Sequence, residues 1–207
     1  KISGEDYVHY HQLRANCLPT RVRTSRGRQE RQVGCRAGCA STETAQHVIQ
    51  MCERTHDVKV ARHDRVVTKL AQEFSRKRYK VHREVHLRVQ GVLRKPDLLL
   101  VKDGQLRVVD VQVRRCRSLD QDHKDKVNYY ESQQGLTRLL QERYRVDVVT
   151  YHSCTLSYKG VWSKASVEEL QQLGVSDYCL FEIVTSVLRG SWIGWRTFNS
   201  RNNVVRY

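Results

Sequence analysis

The chain of 207 residues carries 37 Lys and Arg against 22 Asp and Glu, a formal charge of +15 at pH 7. Its 39% hydrophobic content supports a packed core and excludes a wholly disordered tail, and no apolar run approaches the roughly 20 residues that cross a bilayer. A charge excess of this size points to a polyanion, most simply nucleic acid, because each neutralised phosphate releases counterions. Charge alone separates neither DNA from RNA nor binding from catalysis. The first residue is Lys1 rather than Met and no signal-peptide pattern follows, so a piece of a longer protein is expected. Seven cysteines, an odd number spread along the chain, argue against a secreted disulfide framework.

The first distinctive stretch is arginine-rich. Arg14, Arg21, Arg23, Arg26, Arg28, Arg31 and Arg36 face a single acid, Glu30, while Pro19 and Gly27 argue against one long helix. A loop or broken helix is expected. Guanidinium forks suit phosphate oxygens better than ammonium groups do, so this arm is read as a nucleic-acid backbone contact rather than a merely solvated face.

Three cysteines and a histidine follow within GCRAGCASTETAQHVIQMC. Cys35 and Cys39 are spaced to clamp one side of a zinc ion, and His47 and Cys52 on a short helix close the tetrahedron. The helix is expected over 44–51, with Thr42 as its cap. A step of five from His47 to Cys52 puts the site at a frayed helix end. The segment looks poor in apolar residues, so metal is expected to supply its folding energy. The alternatives are buried free thiols, or replacement of a ligand by His56 or His63.

From Asp57 the pattern turns helical, with Val67, Leu70, Ala71 and Phe74 on one buried face and Lys77, Arg78 and Lys80 at the C-terminal end. Val85, Leu87 and Val89 then alternate as a half-buried strand, which Gly91 breaks. Residues 98–101 read as a short apolar strand, Asp103-Gly104 as a hairpin turn and residues 106–113 as the return strand. Counting across that turn sets Asp97 opposite Asp110 or one position away. Two aspartates converging on one cleft repel unless a divalent cation lies between them, and hard oxygen ligands select magnesium or manganese. Arg94 and Lys95 would draw a phosphate toward that metal, with Arg114 and Arg115 as further phosphate contacts. The bland alternative makes Asp97 a turn cap and Asp110 an ion-pair partner of Arg94 or Arg107.

A helix is expected over 122–145 with Gly135 as a kink, then strands over 146–151 and 155–162. Ser166 and Glu169 read as a capping box opening a helix to Leu173, and Asp177 caps a helix to Leu188. Tyr129, Tyr130, Trp192, Trp195 and Phe198 are candidates for base stacking or for core burial.

Pro96-Asp97, then twelve intervening residues, then Asp110-Val111-Gln112, resembles the PD-(D/E)xK motif of restriction-endonuclease-like nucleases. Gln112 stands where that family usually has lysine, and a variant form of the family moves the lysine to the following helix. The resemblance therefore implies Lys126 or Lys124 in that role, with Lys126 preferred. Gln112 could orient a water but cannot take its proton, and Glu84 is a possible third metal ligand. Leu18-Pro19-Thr20-Arg21, the Cys-Cys-His-Cys knuckle, Thr55-His56, Arg62-His63-Asp64, Lys95-Pro96-Asp97 and Asp110-Val111-Gln112-Val113 occur in this order. That order resembles the C-terminal region of site-specific non-long-terminal-repeat retrotransposon proteins that insert into ribosomal RNA genes.

The resemblance implies an α/β fold, a restriction-endonuclease-like mixed sheet flanked by helices over 57–207, behind an arm and CCHC knuckle over 1–56. It implies structural zinc, catalytic magnesium or manganese, and nicking of target DNA to expose a 3′ hydroxyl for reverse transcription. Partners would be double-stranded target DNA, the element's RNA and a reverse transcriptase domain of the same polypeptide, with no membrane and a nuclear, nucleolar location. Two rivals are a nucleic-acid-binding module whose nuclease site is inactive, which Gln112 favours, and a repair or junction nuclease of the same fold.

Overall fold

The computed structural model describes residues 3–26, 28, 32–115 and 117–202; Arg31 of the arm lies outside them. The chain divides into two compact units. One comprises residues 1–64, 158–160 and 184–207, and the other residues 65–157 and 161–183.

The first unit begins with α1 (Gly4–Arg14), whose N-terminus Ser3 caps by accepting from the Asp6 N–H. The arm is a broken helix, as its proline implies, reduced to the single turn α2 (Arg21–Thr24) with Thr20 as cap. Next come α3 (Ala45–Gln50) and a 3-10 turn (Glu53–Thr55), which leads into α4 (His56–Arg76). Residues 184–202 of α8 (Asp177–Asn202) complete the unit. Leu13, Leu18, Val48, Ile49, Trp195 and Phe198 are all buried. Trp195 and Phe198 are thus core side chains, out of reach of a base, whereas the half-buried Trp192 stacks on His9 at 3.8 Å. Arg62 is buried with them, and a Cβ at Gly190 would come within 2.7 Å of its side chain. Its guanidinium donates to Ser191 Oγ at 2.8 Å and to Gln50 Oε1. A buried cation persists only when hydrogen-bonded, so Gly190 makes the room and the two acceptors hold the charge.

The second unit is built on a mixed sheet in the order β1–β4–β5–β6, flanked by helices, in agreement with the expected class. Its strands are β1 (Lys80–Arg83), β4 (Leu98–Lys102), β5 (Gln105–Arg114) and β6 (Val148–Ser157), with β2 (Leu87–Val89) and β3 (Val92–Arg94) forming a separate ribbon. The β4–β5 hairpin turns at Asp103 and Gly104, with φ of 51° and 68°, the two left-handed residues of the tight turn that matches strand twist. Strands β5 and β6 are parallel and so need a crossover, supplied by α5 (Leu119–Glu131) and α6 (Leu136–Tyr144). Leu99, Leu106, Val108 and Tyr151 cluster with Tyr130, Leu136 and Leu140 of those helices. By strand alternation Leu98, Leu100, Val109 and Val111 bury the opposite face.

Four local expectations are corrected. Helix α4 stops at Arg76, Arg78 adopts a left-handed φ of 65°, and Lys80 opens strand β1, which the basic run Lys77–Lys80 had disguised as a helix end. Residues 122–145 form two helices, because Gly135 at φ 81° begins α6 rather than kinking a continuous one. The two strands expected over 146–162 are one, β6, which runs through the expected gap because Ser153 there is buried and hydrogen-bonded to Thr155. Ser163, not Ser166, caps α7 (Lys164–Gln172), while Ser166 is turned inward to bond Ser153 O and the Thr155 N–H.

Glu169 on α7 lies 2.9 Å from His123 Nε2 and 3.0 Å from His152 Nδ1. Burial pushes its carboxyl up, but bonding to the two imidazoles outweighs this and holds it down at about 2. A depressed carboxylate stabilises the fold above its unfolded value, and that contribution is lost as pH falls from the usual 4.5 toward about 2. Thermal melts between pH 6 and pH 2.5 should therefore show a steep acid loss in the parent. Glu169→Gln should melt lower at neutral pH, by about 1–2 kcal/mol, and lose less on acidification. Parallel pH profiles for the two proteins would remove this role.

Candidate functional site

In the first unit the knuckle is organised around a carboxylate. Glu43 is fully buried. It accepts from the Arg21 and Arg36 backbone N–H groups at 3.1 Å each, and its two oxygens take Nε and an Nη of Arg36 at 2.8 Å. Burial alone would raise its pKa, and these bonds reverse the direction. Arg21 also donates to Gly34 O at 3.0 Å. A short antiparallel pairing sets Gly34 against Thr42, and the chain turns at Gly38, whose φ is 84°. Thr44 caps α3 by accepting from the His47 N–H; Thr42 is in the pairing instead, which corrects the expected cap. The helix ends where both the Met51 and Cys52 N–H groups donate to His47 O at 2.8 Å, and this frayed turn produces the five-residue step between ligands.

The ligand atoms of Cys35, Cys39, His47 and Cys52 all lie within 4.8 Å of one another. Cys52 Sγ is 4.0 Å from Cys35 Sγ and 3.7 Å from Cys39 Sγ, against about 3.8 Å between thiolates on a tetrahedral zinc. Both ring nitrogens of His47 are buried without a hydrogen-bond partner. An orphaned imidazole is costly, and a metal bond would satisfy one nitrogen. Burial, with the neighbouring thiols, pushes the Cys52 thiol up to about 12, so ionised thiols at this spacing call for a cation among them. The donor set therefore fits zinc. His56 is exposed at the start of α4 and His63 lies 3.2 Å from Asp64; neither belongs to the cluster among the described residues. The knuckle does have apolar anchors, contrary to expectation, since Ala45, Val48 and Ile49 are buried.

The arm's arginines divide by environment. Arg21 and Arg36 hold Glu43, and Arg36 also stands 5.2 Å over the buried Phe198 ring. Arg23 is half-buried and donates to Cys17 Sγ at 3.4 Å. Arg14, Arg26 and Arg28 are exposed.

In the second unit the register pairs Leu98 with Val109, which sets Asp97 against Asp110 one step further. Directly opposed residues of an antiparallel pair share a face, the face that α5 covers. Pro96 offers no N–H and β4 begins only at Leu98, so the Asp97 carboxylate takes over a ladder position, accepting from the Val111 N–H at 2.7 Å. Asp110 is buried; Tyr130 donates to its Oδ1 at 2.7 Å and Lys126 Nζ stands 3.0 Å from Oδ2. Burial first, then the charge of Asp97, raises its pKa, with Lys126 opposing. Tyr130 is raised as well, by burial and then by Asp110.

Helix α5 thus brings Lys126 to the acids, while Lys124 is exposed and makes no hydrogen bond or ion pair among the described residues. Gln112 shares the acids' face, and its amide donates to Thr155 Oγ1 at 2.7 Å and Asp122 O at 2.8 Å. The Glu84 N–H donates to Asp97 O at 3.1 Å, and its side chain is exposed. Arg94 donates to Gln133 Oε1 and stands 5.2 Å over Tyr129. Arg114 pairs with Asp122 at 3.0 Å; Lys95 and Arg115 are exposed. Sequence reasoning missed Glu43, and it offered Tyr130 for base stacking or core burial rather than as the partner of Asp110. The second had a signal, because Lys126 and Tyr130 are four apart and share a helix face; for Glu43, a lone acid in a basic stretch was the only clue.

No family model matches the chain. Its homologues include the Retrovirus-related Pol polyprotein from type-1 retrotransposable element R2 of Bradysia coprophila, 53% identical over 206 residues. The Pol polyprotein from type-2 element R2DM of Drosophila melanogaster is 36% identical over 192 residues, and that of the Nasonia vitripennis type-1 R2 element 35% over 204. These alignments take in 100%, 92% and 96% of this chain, which spans 24%, 18% and 20% of the respective relatives.

The purified protein should contain about one equivalent of zinc, and chelation should lower its melting temperature. Cys52→Ser should lose the metal. Glu43→Gln leaves every ligand in place but breaks the buried pairing, and should cost about 3 kcal/mol in a urea melt. Metal content well below half an equivalent in protein prepared without chelator would count against the zinc assignment.

Proposed function

We propose that this chain is a divalent-metal-dependent endonuclease that nicks duplex DNA, exposing a 3′ hydroxyl from which a reverse transcriptase of the same polypeptide copies the element's RNA. Ribosomal DNA is the proposed target and the nucleolus the proposed place of action. The observation that carries this reading is the convergence of Asp97, Asp110 and Lys126 on one face of the sheet. Similarity to Pol polyproteins of R2 elements supports the retrotransposition context.

A buried carboxylate beside a second one needs positive charge, and two carboxylates are hard donors that suit magnesium or manganese. Asp97 and Asp110 would hold that ion, with Glu84 the third acid in the neighbourhood. When bound, the ion polarises the scissile phosphate and offsets the charge that builds on it. Asp97 is kept in line by the Val111 N–H and Asp110 by Tyr130, so neither carboxylate must reorganise during the reaction. Lys126, already at the acids, orients the attacking water and neutralises the phosphate oxygens. The water oxygen bonds to phosphorus and gives up a proton to solvent as the P–O3′ bond breaks, and the departing O3′ takes a proton from solvent water to leave the 3′ hydroxyl opposite a 5′ phosphate. Gln112, its amide hydrogens committed to Thr155 and Asp122, keeps the start of α5 against the strand.

Incubation with supercoiled plasmid and magnesium should yield nicked circles. Asp97→Ala, Asp110→Ala and Lys126→Ala should each lower the rate about 100-fold or more while DNA affinity is kept, and Lys124→Ala should nick like the parent. A parent that binds DNA normally but does not nick, also within the full polypeptide, makes the chain a binding module. Strong preference for branched substrates would move it to the junction nucleases.

A further inference from the structure

The β2–β3 ribbon forms its own two-stranded sheet and meets the core through one face only. Leu87 and Val89 are buried among Leu99, Leu106 and Tyr130. The turn between the strands, Gln90 and Gly91, has φ of 49° and 79°, a rigid left-handed pair rather than a floppy tip. The other face is bare. Arg88 pairs directly with Leu93 in the register and both are exposed, Leu93 by 42%. By alternation Lys95 continues that face, while Val92, paired with Val89 beside the turn, is on the other face and is 47% exposed at the ribbon's tip. Tight hairpins normally present polar side chains outward, so Leu93 framed by cations on this face, with Val92 exposed at the tip, asks for an occupant.

The ribbon is also fixed to the proposed catalytic helix. Arg94, at its base, is hydrogen-bonded to Gln133 and stands 5.2 Å over the Tyr129 ring, and Lys126 Nζ lies 5.4 Å from the same ring. Three residues of chain separate Leu93 from Asp97.

We infer that this ribbon docks tip-first in the major groove of the DNA duplex beside the phosphate to be cut, with Arg88 and Lys95 on the phosphate rims, Leu93 against base edges and Val92 at the entering tip. The inference rests on the nuclease reading for the identity of the duplex. The groove admits a two-stranded ribbon, and its thymine methyls are the apolar surface that such side chains match. The positive flanks complement the backbone.

The test compares the parent with a triple variant, Arg88→Ser, Val92→Ser and Leu93→Ser. Binding is followed by fluorescence anisotropy on a labelled mixed-sequence DNA duplex, its single strand and the matching RNA duplex, before any magnesium is added. All three positions are solvent-exposed, and an unchanged melting curve confirms that the fold is kept. The variant should bind the DNA duplex about 10-fold more weakly, with single-strand affinity nearly unchanged. Equal duplex affinity overturns the inference, as does an equal loss on duplex and single strand, which would mean charge removal alone. A loss confined to RNA overturns it in favour of an RNA partner. Because no cleavage is measured, failure of the parent to nick plasmid would sink the nuclease reading without touching this result.

Discussion

The second unit is arranged around one electrostatic problem, the burial of Asp110 next to Asp97. Two carboxylates facing each other in a sheet destabilise the fold unless positive charge and hydrogen bonds reach them. Three features are the answer. The Val111 N–H takes one carboxylate into the strand ladder, Tyr130 donates to the other, and Lys126 reaches across from α5. The last two depend on the crossover that lays α5 over this face, and the crossover is required because β5 and β6 run parallel. An apolar pair at these positions would give a more stable sheet. Retaining the acids makes sense where a cation and a phosphate are meant to arrive.

The knuckle solves the mirror-image problem. Glu43 is surrounded by arginine, and its four acceptor contacts tie the arm to the turn that presents Cys35 and Cys39. With Val48 and Ile49 buried as well, the loop has a shape before any metal is considered. Zinc, which the donor set fits, would then fix the sulfur positions rather than fold a featureless segment.

The sequence made the sheet's working face legible because its signals were short-range. Asp103-Gly104 specifies a two-residue turn, and a turn of known length fixes which residues oppose, so the Asp97–Asp110 register could be counted. The CCHC spacing was legible for the same reason. What stayed hidden was set by tertiary contacts. Strand β1 sits in a basic run that mimics a helix terminus, and Ser153 looks like a break between two strands until its partners, Gln112 across the sheet and Ser166 on α7, are seen. Glu43 could not be found, because a carboxylate's burial depends on arginines that sequence distance does not rank. Spacing left Lys124 and Lys126 both open, and the helix phase places Lys126 together with Tyr130 at the acids.

The formal charge of +15 is therefore not a uniform field. Arg21, Arg36 and Arg62 are structural cations satisfied within the first unit, and Arg114 is paired with Asp122. A phosphate can recruit these only by first undoing a bond. Arg14, Arg26, Arg28, Arg88, Lys95, Arg115 and Lys124 are exposed, and counterion release on binding comes from such side chains. Within the second unit that exposed set falls on the ribbon leading into Asp97, on the end of β5 beyond Asp110, and on the solvent side of α5. The segments that carry the two acids thus also carry exposed cations, Lys95 ahead of Asp97 and Arg115 beyond Asp110. A polyanion attracted to those cations by charge alone would be delivered toward Asp97 and Asp110, so under the proposed function the same short segments that set the register of the two acids would also steer DNA to them.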